Sequence, residues 1–83
     1  MLREETLFDD IRNLINTMKD MGHTEITKES KFKEMEFDSL DYVELQIFMF
    51  ETYSIKIPDN LFADNTLTSI QDLINFAISQ QSL

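Results

Sequence analysis

Between Glu4 and about Lys19, Leu7, Ile11, Leu14, Ile15 and Met18 recur at helical spacing, while Asp9, Asp10, Arg12, Asn13 and Asn16 fill the other side. This pattern predicts a first amphipathic helix. Glu4 and Glu5 suit its positive end, Lys19 suits its negative end, and Gly22 is the expected C-terminal stop. From His23 to Phe37 the periodicity fades, and Ile26, Phe32 and Met35 stand as apolar anchors of an irregular loop. A loop of that length is often functional. The next helix is predicted from Ser39 to about Tyr53, with Asp38 as N-cap and Asp41 favourable to the dipole. Its apolar positions divide into two arcs, Tyr42, Leu45, Met49 and Tyr53 on one side and Leu40, Val43, Ile47 and Phe50 on the other. One arc suffices for a small bundle. Either the helix is central and buries both, or the second arc meets cargo or a partner.

Ile55 and Ile57 bracket Lys56 in an extended link, and Pro58 limits continuation of the second helix. Pro58 is also a candidate first position for a short helix through Leu61, Phe62 and Ala63. Thr68-x-x-Gln71 has the form of a capping box. It is expected to start a last helix striped by Ile70, Leu73, Ile74, Ala77 and Ile78, with fraying expected over Gln80 to Leu83. One glycine and one proline in the whole chain disfavour a turn-rich β fold. The expected fold is all-α, a small four-helix bundle of three longer helices and one short one.

With 83 residues, the chain makes one small domain with a thin core. Its expected stability lies toward the lower end of the roughly 5–15 kcal/mol usual for domains. There is no cysteine, hence no disulfide and no thiolate metal site, which is compatible with a cytoplasmic location. Neither a membrane span nor a signal peptide is legible. Sixteen acids against seven bases give a net charge of −9. That disfavours nucleic acid and anionic membranes; it serves solubility, or selects basic partner surfaces.

Catalytic constellations are absent from the sequence. A phosphate-binding loop needs more than one glycine, and the acid spacing fits no EF-hand loop. Asp9-Asp10 and Asp38/Asp41 are carboxylate pairs at helix starts, where general acid–base chemistry is not expected. His23 is the one histidine, so a base-activated serine would have to recruit it. By elimination the chain is a carrier or binding module, with no metal expected. Ser39 opens the second helix with its hydroxyl expected outward, where unpaired N–H groups favour an attached phosphate. The plainer alternative is that Asp38 or Ser39 serves only as an N-cap.

Glu36-Phe37-Asp38-Ser39-Leu40-Asp41-Tyr42-Val43-Glu44-Leu45 resembles the modification site of acyl carrier proteins. The resemblance extends through Ile55-Lys56-Ile57-Pro58-Asp59 and Thr68-Ser69-Ile70-Gln71-Asp72-Leu73, covering nearly the whole chain. It implies 4′-phosphopantetheine in phosphodiester linkage on Ser39, flanked by Asp38 and Leu40, with a terminal thiol that holds acyl groups as thioesters. It also implies a coenzyme A-dependent phosphopantetheinyl transferase, and acyl-transferring and acyl-modifying enzymes with basic docking surfaces. Asp41, Val43, Glu44, Ile47, Phe50 and Glu51, with Leu40, are the expected partner surface, and a monomer is the expected state.

Three departures from the family pattern point toward a specialised lipid or polyketide pathway as a rival to general fatty-acid synthesis. Glu36 stands where glycine is common, the link from Phe32 to Asp38 is about one residue short, and Phe50 holds a commonly acidic position. A peptidyl or aminoacyl carrier usually lacks an acid before the serine, so Asp38 argues against that class. An unmodified acidic structural subunit would share the helices and not need Ser39.

Overall fold

The computed structural model describes residues 2–22 and 24–81. Its order is α1 (Glu4–Met18), α2 (Ser39–Tyr53), α3 (Asn60–Ala63) and α4 (Ile70–Gln81), the all-α bundle that the periodicity predicts. The α1 stripe buries Leu7, Ile11 and Ile15 against α4 and α2. From α4, Ile70, Leu73, Ile74 and Ala77 fill the same core, and from α2, Leu45 and Met49. Ile26, Phe32 and Met35 pin the long loop to that core, as their isolation within a polar run suggested. Ile55 and Ile57 bury on either side of exposed Lys56.

The loop does more than cover the core. Phe32 N–H donates to the Thr68 carbonyl, and Lys31 and Ser69 form an isolated antiparallel bridge. In return, Ile70 and Gln71 donate their N–H groups to the carbonyls of Ser30 and Lys28. A helix leaves its first N–H groups without internal partners. Here the loop satisfies two of them, and Ser69 Oγ accepts from the third, Asp72 N–H. Asp72 Oδ2 reaches back to the N–H groups of Thr68 and Ser69 and to the Thr68 hydroxyl. The capping box is therefore Ser69-x-x-Asp72, one residue later than the expected Thr68-x-x-Gln71. A carboxylate is the stronger acceptor and also complements the dipole, which decides between two overlapping patterns.

Other boundaries also move. Helix α1 ends at Met18, with Lys19 extended as its C-cap and its N–H on the Ile15 carbonyl. Gly22 is not that cap; it lies beyond it with φ +59°, in a turn closed by Asp20. The short helix begins at Asn60 and not at Pro58, whose carbonyl accepts from Leu61 N–H to start the preceding turn. Gln80 and Gln81 continue α4 where fraying was expected, and Ser82 and Leu83 lie outside the described residues. No described helix is long and apolar enough to cross a membrane.

Candidate functional site

Helix α2 begins at Ser39 because Asp38 takes the capping role. Its carboxylate accepts from Asp41 N–H at 3.0 Å, and Asp41 Oδ2 accepts from Asp38 N–H at 3.1 Å, a reciprocal capping box. Tyr42 N–H reaches the Asp38 carbonyl. Ser39 is thereby released from capping. It is exposed, and among the described residues its hydroxyl makes no hydrogen bond. Of the two residues that the plainer alternative offered as N-cap, Asp38 takes the role and Ser39 does not.

Lys19 fixes the turn from beneath. Its Nζ donates to Asp41 Oδ2 at 2.8 Å and to the Glu36 carbonyl at 3.0 Å, and lies over the Phe37 ring. The Lys19 hydrogen bond is the largest influence holding the Asp41 carboxyl below its usual range; partial burial opposes it. The same bond raises Lys19. Two acids beside Ser39 would repel an attached phosphate, but Lys19 neutralises one of them. The Ser39 and Leu40 N–H groups make no hydrogen bond among the described residues, which leaves donors at the positive helix end. An exposed alcohol in this setting suits a phosphodiester attached by another enzyme. Nothing described here activates it as a nucleophile of its own, and His23 lies outside the described residues.

Glu36 leads into the turn with φ +59°, the left-handed region in which glycine is unstrained. The departure from glycine noted in the sequence therefore changes the side chain while the backbone keeps the glycine-type conformation.

Beyond Ser39, α2 splits into the two arcs that its pattern predicts. Leu45 and Met49 are buried, and Tyr42 and Tyr53 are half-buried. Leu40, Val43, Ile47 and Phe50 are 75%, 45%, 51% and 57% exposed, so the helix does not bury both arcs. Glu44 and Glu51 border this ridge toward α1, where they line a groove with Leu14 and Phe48. On its other flank stand Lys33, Lys56 and Asp59. That mixed flank was not read from the sequence, because it depends on how the loop and the 55–59 link fold back beside α2. Asp41 is half-buried beneath the ridge, held by Lys19.

Between α2 and α3 an open groove of about 460 Å³ begins at Ser39 and continues past Tyr42, Val43 and Phe62. Its floor rests on an aromatic cluster, with Tyr42 and Phe62 rings 4.7 Å apart and Phe32 touching Phe37, Tyr42 and Phe62. Of the other carboxylate pair, Asp9 binds Arg12 and Asp10 accepts from Tyr53. Burial, then Asp10, raises the Tyr53 phenol. Among the described residues no group of three or more metal-type ligands gathers.

No family model matches the chain. It is 34% identical over 73 residues to a curated protein named acyl carrier protein from Borreliella burgdorferi strain ZS7, covering 87% of this chain and 89% of that one. A protein of the same name from Guillardia theta is 30% identical over 81 residues, 96% of each chain. One from Wolinella succinogenes is 41% identical over 54 residues, covering 64% of this chain and 71% of the relative.

Proposed function

Because the chain belongs to the acyl carrier protein family, a family of carriers and not of enzymes, we propose that Ser39 carries 4′-phosphopantetheine and that the protein shuttles acyl groups between enzymes. The observation that carries this reading is the division of labour at the start of α2. Asp38 caps the helix, and Ser39 is left exposed and unpartnered beside it. A coenzyme A-dependent phosphopantetheinyl transferase would install the arm: the bond from Ser39 Oγ to phosphorus forms as the pyrophosphate bond of coenzyme A breaks, adenosine 3′,5′-bisphosphate leaves, and the hydroxyl proton passes to the transferase. The arm supplies a terminal thiol that holds the cargo as a thioester. Asp38 and Asp41 keep the helix start in one geometry, and Lys19 offsets part of the negative charge around the new phosphodiester.

The partner surface is the ridge of Leu40, Val43, Ile47 and Phe50 with Glu44 and Glu51 along one side. Rim acids raise encounter rates with basic enzymes and set register more than they add affinity, which suits a carrier that must let go. Phe50 replaces charge with apolar area at the far end of the ridge. This favours partners with an apolar contact there, as in a specialised lipid or polyketide pathway, over the general fatty-acid enzymes. The protein works as a cytoplasmic monomer. Incubation with coenzyme A and a broad-specificity transferase tests the reading: the intact mass of the wild type gains one arm, and folded Ser39→Ala gains none. A wild type that is never modified is the unmodified structural subunit instead. A native thioester of an amino acid would make it a peptidyl carrier.

A further inference from the structure

Lys19 closes α1 as its extended C-cap, with its N–H on the carbonyl of fully buried Ile15. Its side chain therefore starts from a fixed root. It crosses to residues 17 and 22 positions further on, where Nζ donates to the Glu36 carbonyl at 3.0 Å and to Asp41 Oδ2 at 2.8 Å. The Lys19 and Asp41 side chains are only 21% and 16% exposed, so water screens this pair less than Arg12–Asp9, at 42% and 58%. The peptide between Glu36 and Phe37 is held on both sides, its carbonyl by Lys19 and its N–H by the Phe32 carbonyl. Asp38 N–H then meets the same Asp41 oxygen that Lys19 holds. One ammonium thus ties the left-handed Glu36, the N-cap and the first turn of α2 together, and Ser39 stands among them. A non-glycine residue at φ +59° relaxes toward ordinary backbone unless its contacts oppose that.

We propose that Lys19 is a positioning residue for installation of the arm, holding the turn in the geometry in which a transferase meets Ser39, a reading that rests on Ser39 being the attachment site. Without the clamp the turn samples other geometries, and only a fraction of the molecules presents Ser39 correctly. Apparent affinity falls by that fraction. The chemical step keeps its rate, because the turn in the complex is the same one. Charge alone predicts the opposite sign: losing a cation makes the surroundings of Ser39 more acidic, and a basic transferase would then bind more readily.

The test follows arm installation by intact mass over a range of concentrations of the bare protein, with coenzyme A saturating and every variant shown folded by circular dichroism. Lys19→Met keeps the length of the side chain and removes its charge and donors. It is expected to raise KM about five- to tenfold and to leave kcat within about twofold. Lys19→Gln, polar and uncharged, gives the same result should the methionine variant fold poorly. Lys28→Met breaks the other bond between the long loop and α1, Lys28–Glu4 at 2.7 Å, at the opposite end of that helix. It costs stability but leaves KM and kcat at their wild-type values, which a merely structural role for Lys19 would not predict. A KM for the Lys19 variants that is unchanged or lower, a loss confined to kcat, or an equal rise in Lys28→Met would each overturn the proposal. A wild type that takes no arm is failure of the underlying reading, and is distinguished from these by its unchanged mass.

Discussion

At the scale of single residues, two side chains carry most of what sets this molecule apart. Glu36 holds a left-handed backbone at φ +59° in the turn that presents Ser39. A side chain there costs roughly 1–2 kcal/mol, while glycine's extra freedom in the unfolded chain costs about 0.5–1 kcal/mol. Glu36→Gly is therefore expected to stabilise by about 0.5–1 kcal/mol, a rise of about 2–8 °C in a thermal melt. Lys19 binds the Glu36 carbonyl and not its side chain, so the clamp survives the change. An unchanged or lower melt at physiological salt would mean the turn is unstrained. Phe50 is the second such residue. Because it is exposed, Phe50→Glu is expected to shift stability by no more than about 0.5 kcal/mol, whereas Leu45→Ala across the same helix costs about 2–5 kcal/mol. Comparable melts for wild type and Phe50→Glu, with collapse confined to Leu45→Ala, keep the ridge as a surface. Unfolding of Phe50→Glu would place it in the core.

At the scale of elements, α2 was the most legible part of the chain. Asp38 followed by an amphipathic run identified the start, and the period of 3.6 separated a buried arc from an exposed one. What the sequence withheld was everything set by contacts distant along the chain. Lys19 looks like an ordinary helix-end lysine until the loop returns beneath it and places Asp41 at 2.8 Å. Gln46 looks like a solvated α2 position until the link before α3 arrives. At α4 the sequence pattern predicts Thr68-x-x-Gln71 as the capping box, and the hydrogen bonds around Ser69 and Asp72 put it one residue later. The Lys19–Asp41 pair gives this level its prediction. Asp41 is depressed when folded, so its contribution is present above its ordinary range and lost as pH falls through the lower folded value. Lys19 is raised, so its contribution is lost only as pH rises through the upper end of the lysine range. The melting difference between wild type and Lys19→Met is therefore full near neutral pH and closes as pH falls below the ordinary carboxylate range. A difference that persists undiminished in acid would mean that Lys19 acts through packing and not through the pair.

For the whole molecule, charge works against the fold that hydrophobic burial creates. The net charge is −9, while the salt bridges among the described residues are Arg12–Asp9, Lys19–Asp41 and Lys28–Glu4. Lys28–Glu4 ties the long loop to the start of α1, so part of the few cations goes to holding the loop down. The remaining acids repel one another across a small body, and screening them is expected to raise the melting temperature between about 0.01 and 0.15 M salt, as the Debye length shrinks from about 30 to 8 Å. A flat or falling melt over that range would show self-repulsion to be a minor influence. The same excess charge sets the terms of partner encounter along α2, where Glu44 and Glu51 stand exposed beside the apolar ridge.

All of these levels converge on one hydroxyl, freed from capping by Asp38 and held outward at the start of α2. Fragment mass spectrometry of the protein after reaction with coenzyme A and a phosphopantetheinyl transferase tests that claim most directly. The arm is expected on Ser39 alone, with Ser30, Ser54, Ser69, Ser79 and Ser82 unmodified and with Ser39→Ala folded but without an arm. An arm found on another serine, or a wild type that remains bare, would contradict the account.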